Sequence, residues 1–134
     1  MVSAAQESSF SILVADDDGA SRDALSAIIG PLGLRTYLAS DGAEALEIVR
    51  QEIIHVALFD VHMPNLTGLE ALQMIRQFNL ELPIILVTAD SSAGLMRLAF
   101  QAHAYSVIPK PVSRNVVLQT VSRALGRAYG ERHH

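Results

Sequence analysis

The sequence predicts an α/β fold in which a doubly wound, five-stranded parallel sheet is covered by five helices, and three observations carry that prediction. Short runs that are apolar at every position, rather than at every second one, recur along the 134 residues. Strands buried on both faces read this way. Amphipathic stretches with helical spacing separate the runs, and the strand comes first in each pair, which is the pattern of right-handed crossovers with helices on both faces of a sheet. The length also suits one domain with a core of its own and leaves no room for a second folded module.

The first strand is predicted at Ser11 to Ala15 (SILVA), the third at Val56 to Phe59 (VALF) and the fourth at Ile84 to Val87 (IILV). Leu34 to Ala39 and Tyr105 to Pro109 are weaker runs that supply the second and fifth. The fifth belongs at a sheet edge, because Pro109 has no N–H to give to a ladder. Between them, Ala24, Leu25, Ile28, Ile29 and Leu32 make one helical face, closed by Gly30-Pro31 and Gly33. Asp41-Gly-Ala-Glu44 spells a capping box before Ala45, Leu46 and Val49. Leu69, Leu72 and either Met74 or Ile75 line a third helix, and Ala93 to Gln101 form a fourth. Ser113 caps a fifth that carries Val116, Val117, Thr120, Val121, Ala124 and Leu125 on one side. No internal repeat or low-complexity segment interrupts the series.

Composition narrows the function. Half the residues are hydrophobic and 18% are charged, a balance typical of a packed domain rather than a disordered chain. With 10 Lys and Arg against 14 Asp and Glu, the net charge of -4 lacks the basic excess that neutralises nucleic-acid phosphates, so direct nucleic-acid binding is not expected. The absence of cysteine excludes disulfides, thiolate zinc sites, iron–sulfur clusters and a cysteine nucleophile. Met1 to Ser9 has neither a basic region nor an apolar core and reads as a flexible N-terminal segment rather than a signal peptide. No run is long enough to span a membrane, so a cytoplasmic location without membrane partners is expected. The domain is placed at residues 10–128, followed by a tail at 129–134 whose His133-His134 has the look of a tag remnant.

In a doubly wound sheet, ligands bind beyond the carboxyl ends of the strands. Those ends are polar here: Asp16-Asp17-Asp18 follows the first strand, Asp60 the third, Thr88 the fourth and Lys110 the fifth. Each has a local alternative. Three aspartates can form a turn and a helix cap, Asp60 can be a strand-end turn residue, Thr88 a β-branched strand residue and Lys110 a solvated surface lysine. Together, however, they converge on one edge. Carboxylates clustered in a partly desolvated cleft repel unless a cation offsets them. An oxygen-only donor set points to Mg2+, or to Mn2+, with water completing the octahedron. Lys110 is the only lysine in the chain, and its compact ammonium suits a single anionic oxygen.

These residues carry a family resemblance. The strand followed by Asp16-Asp17, then Asp60-Val-His-Met63-Pro64 with Gly68 eight residues after the aspartate, then Leu82-Pro83-Ile-Ile-Leu-Val-Thr88-Ala89, and finally Pro109-Lys110-Pro111 stand in order and at matching spacing. From about Ser11 to Leu125 the chain resembles the CheY-like receiver domain of two-component response regulators. The resemblance implies a flavodoxin-like fold with strand order 2-1-3-4-5. It implies that Asp60 is the phosphoacceptor in a phosphorelay, taking a phosphoryl group from a sensor histidine kinase, a phosphotransfer protein or a small phosphodonor. Asp17, Asp60 and the backbone carbonyl of His62 would then ligate Mg2+, with Asp16 acting through water. Thr88, Lys110 and the amide of Ala89 would bind the phosphoryl oxygens. His62 and Asp90 fall where the family tunes the lifetime of the acyl phosphate. A cis Lys110–Pro111 bond and a homodimer through helix 4, strand 5 and helix 5 are further implications.

Four positions depart from the family pattern. Asp18 adds a third carboxylate, and its role is open. His62, two residues after the acceptor, and Asp90, two after Thr88, occupy the positions that tune acyl-phosphate lifetime in the family. His103 replaces a frequent glycine, so the turn before the last strand is expected to differ. Val107 replaces the usual Tyr or Phe, which leaves Tyr105, two residues earlier and read as sharing its side of the strand, as the nearest aromatic. Two rival readings are weaker. A phosphohydrolase of the haloacid dehalogenase type needs an acid where His62 stands, and a degenerate receiver acting only as a docking module would have lost one of Asp17, Asp60, Thr88 or Lys110.

Overall fold

The computed structural model describes residues 10–130. The N-terminal segment 1–9 and the final residues 131–134, with the tag-like histidine pair, lie outside the described residues. The elements run β1 Ser11–Ala15, α1 Gly19–Ile29 with a 3-10 turn at Gly30–Leu32, β2 Arg35–Ala39, α2 Gly42–Gln51 and β3 Val56–Asp60. They continue as α3 Gly68–Ile75, β4 Ile84–Thr88, α4 Ala93–Gln101, β5 Ser106–Pro109 and α5 Arg114–Ala128. All strand pairs are parallel, in the order β2-β1-β3-β4-β5. The fold class, the strand order and all five helices are therefore those expected. No helix among the described residues is long and apolar enough to cross a membrane.

The core lies in two layers, one on each face of the sheet. Leu13, Ala57, Phe59, Ile84 and Leu86 meet Ala45, Leu46 and Val49 of α2, Ala71, Leu72 and Ile75 of α3, and Leu95 and Ala99 of α4. On the other face Ile12, Val14, Leu58, Ile85 and Ile108 meet Leu25 and Ile29 of α1 and Val117, Val121 and Ala124 of α5. β1, β3 and β4 are buried at every position, because neighbours flank them and helices cover both faces. Each fully buried Ile, Leu or Phe there contributes about 1.5–3 kcal/mol by leaving water.

Several local details differ from the sequence reading. Ala24 faces solvent rather than the core, and Val116 is likewise exposed. In α3 it is Ile75, not Met74, that is buried, together with Ala71. Asp41 caps α2 by accepting the Glu44 N–H at 2.8 Å, but the Glu44 carboxylate turns back to the N–H of Ser40 rather than to that of Asp41. The full reciprocal capping box is at α3, between Thr67 and Glu70. Tyr129, assigned to the tail, packs its ring against Phe10 and His55 and donates its hydroxyl to the His55 carbonyl at 2.9 Å. Tyr105 precedes β5 and packs with the α5-side layer, whereas Val107 packs with the α4-side layer, so the two do not share a face. The period-two count holds only within a strand, and Tyr105 lies outside this one. His103 takes a left-handed backbone with φ of 62°, so the turn keeps a glycine-like shape with a histidine in it. Three hydrogen bonds from the Arg76 guanidinium, to the carbonyls of Asn79, Ala102 and His103, brace that turn.

Candidate functional site

Strand register brings the polar residues together. Ala15 lies opposite Phe59, Asp60 opposite Val87, and Thr88 opposite Pro109, so the C-terminal ends of β1, β3, β4 and β5 end at one level. The first residue beyond β1 is Asp16, which is 0% exposed, and Asp60 is 4% exposed at the end of β3. The 2.8 Å bond from the Lys110 N–H to the Thr88 carbonyl carries the β4–β5 pairing one residue past β5. From there the ammonium reaches back to 3.4 Å from Asp60 Oδ1 and 3.6 Å from Asp16 Oδ2. The Lys110–Pro111 peptide is cis.

Asp16, Asp17 and Asp60 can each present one carboxylate oxygen within 4.8 Å of the others. Asp17 is exposed, which leaves the cluster open to solvent on one side. Two of the three carboxylates, Asp16 and Asp60, pair with the one ammonium, and the Asp60 carboxyl is raised above its ordinary value. Burial is the main cause and the charge of Asp16 adds to it, while Lys110 and the His62 N–H pull in the opposite direction. The donor set is all oxygen and carries excess negative charge, so these residues fit a hard divalent cation.

Asp18 is not part of the cluster. Its carboxylate caps α1 by accepting the Ser21 N–H at 3.0 Å. Thr88 is buried and accepts the Asp90 N–H at 2.9 Å, Asp90 in turn accepts the Ser92 N–H at 2.9 Å, and Ser92 caps α4. His62, Ala89 and Asp90 are exposed at the rim. Gly68 passes so close to β3 that a Cβ there would stand 2.2 Å from the Asp60 carbonyl oxygen. The sequence reading missed Ser21, which donates to Asp16 Oδ2 at 2.6 Å, and Arg22, which donates to the Asp16 carbonyl at 2.7 Å. Their positions, one helical turn after a cap, were the only available signal.

The model of the response regulator receiver domain matches residues 12–122. The chain belongs to this family. It is 38% identical over 111 residues to the sensor histidine kinase RcsC of Escherichia coli K12, covering 83% of this chain and 12% of that protein. It is 35% identical to the response regulator MprA of Mycobacterium leprae, covering 87% of this chain and 51% of that protein. The chain thus spans a minor part of one relative and about half of the other. Among solved structures, a CheY-like receiver domain from Methanospirillum hungatei superposes with a TM-score of 0.86 at 28% identity, covering 91% of this chain and 98% of that one. The response regulator DrrB of Thermotoga maritima gives 0.79 at 30% identity, covering 88% and 53%.

Proposed function

We propose that this receiver domain is an active phosphorylation switch whose acceptor is Asp60. The observation that carries the reading is the convergence of Asp16, Asp17, Asp60 and the Lys110 ammonium at one sheet edge, with the ammonium 3.4 Å from Asp60. Asp17, Asp60 and the His62 carbonyl would hold Mg2+, or Mn2+ on the same donors, with Asp16 acting through water, and the bound ion would supply positive charge to offset that of the anionic reactants.

A carboxylate oxygen of Asp60 attacks the phosphorus of a phosphohistidine on a sensor kinase or phosphotransfer protein. The P–N bond breaks as the new P–O bond forms, and its electron pair stays on the imidazole. Lys110 neutralises charge on the transferred group, and the Thr88 hydroxyl and the Ala89 amide donate to its oxygens. His62 and Asp90 stand at the rim, where they control the approach of the water that later hydrolyses the acyl phosphate. The domain catalyses only its own phosphorylation and dephosphorylation.

The bonds from Thr88 through Asp90 to the Ser92 cap tie the phosphoryl-binding hydroxyl to the start of α4. A shift of Thr88 therefore moves the β4–α4 loop without an aromatic ring on β5. NMR shift mapping with Mg2+ and beryllofluoride tests this route. Perturbations over Ala93 to Gln101 are expected to survive Val107→Ala and to shrink in Thr88→Ala. The opposite pattern would place the relay at Val107, and no response in the wild type would remove the switch.

A further inference from the structure

A carboxylate as buried as Asp16 needs donors on both oxygens. Oδ1 accepts the Asp18 N–H at 3.0 Å and Oδ2 accepts the Ser21 hydroxyl at 2.6 Å. The Lys110 ammonium stands farther from that same oxygen, at 3.6 Å, and is nearer to Asp60. Ser21 is itself aimed, because its N–H is bonded to the Asp18 carboxylate that caps α1. Arg22 fixes the Asp16 carbonyl, so the carboxylate torsion is what remains to be set.

We propose that Asp18 and Ser21 form a positioning pair that fixes the Asp16 carboxylate for the divalent cation and keeps Lys110 directed to Asp60. The inference rests on the Mg2+ reading above and assigns the third aspartate a role other than that of ligand. When the hydroxyl is removed, Oδ2 keeps only the ammonium, which is drawn from Asp60 towards Asp16, and the carboxylate gains torsional freedom. Groups that orient direct metal ligands typically change affinity by about 10- to 100-fold, and because Asp16 acts through water the effect here belongs at the low end of that range.

The test is Mg2+ titration of the full chain, followed by NMR, for wild type, Ser21→Ala, Ser21→Thr and Asp17→Ala, alongside urea unfolding without metal. Ser21→Ala is expected to weaken Mg2+ binding by about tenfold. Ser21→Thr keeps the hydroxyl and is expected to restore most of the affinity. Ser21→Ala that loses metal-free stability but binds Mg2+ as tightly as wild type would make Ser21 merely structural and overturn the proposal. A wild type that binds no Mg2+, or an Asp17→Ala variant that binds it equally well, would overturn the metal reading and this inference with it.

Discussion

Asp60 becomes ionised in a place where Asp16 and Asp17 already stand, and the sign of its pKa shift makes that cost measurable. In the unfolded chain the group titrates at its ordinary value of 3.8, and in the folded chain at a higher one. The folded state therefore holds the proton more tightly. The stability this contributes is fully present below 3.8 and is lost as the pH rises through the folded value. Without divalent ions, Asp60→Asn is expected to be more stable than wild type at neutral pH, with the gain disappearing as the pH falls towards 3.8. Urea unfolding across a pH series checks this, and a gain independent of pH would contradict it. Asp60, Thr88 and Lys110 were legible because each interrupts or ends an apolar run at a strand terminus. Ser21, Arg22 and Arg76 were not, since a polar residue on a helix carries no mark of which carbonyl or carboxylate it will meet. Arg76 finds its partners 26 and 27 residues away.

At the level of elements, β1, β3 and β4 could be read directly, because burial on both faces leaves an unbroken apolar run. β2 is an edge strand with four of its five positions wholly or partly open to solvent, and its sequence carries correspondingly little signal. Helix phase was ambiguous where alanine decides it: Ala24 is exposed and Ala71 is buried, with the same side chain. Two glycines separate tight packing from open space. Gly68→Ala would drive a Cβ into the Asp60 carbonyl and is expected to cost at least about 2 kcal/mol, whereas Gly126 of α5 has nothing within 4 Å. Gly126→Ala is expected to stabilise by about 0.5–1 kcal/mol. Denaturant midpoints for the two variants decide between these signs. At the opposite sheet edge, His55 Nδ1 accepts the Ser11 N–H at 3.0 Å, and the ring sits between Phe10 and Tyr129 at centroid distances of 5.0 and 5.1 Å. Burial lowers the pKa of this histidine below 6.5. Its contribution to stability is present above 6.5 and is lost as the pH falls through the folded value. His55→Gln is expected to flatten that acid limb of the stability profile, and an unchanged profile would remove the histidine from it.

Across the whole molecule, charge is unevenly distributed. No aspartate or glutamate lies between Ser91 and Gly130, where Arg97, Lys110, Arg114, Arg123 and Arg127 are found. Among the described residues only Lys110 forms ion pairs with carboxylates. Lys110 is already matched by Asp16 and Asp60, so a two-fold pairing through α4, β5 and α5 would bring Arg97, Arg114, Arg123 and Arg127 towards their own copies with no carboxylate in that segment to offset them. The unphosphorylated chain is therefore expected to sediment as a monomer at low ionic strength; a stable dimer there would show that charge does not govern this face. The central claim is the acceptor role of Asp60 in a Mg2+-dependent reaction, and the mass of the intact protein after incubation with phosphoramidate and Mg2+ tests it most directly. One added phosphoryl group is expected for wild type, and none for Asp60→Asn or for wild type with the metal chelated. Equal labelling of the asparagine variant would contradict the account.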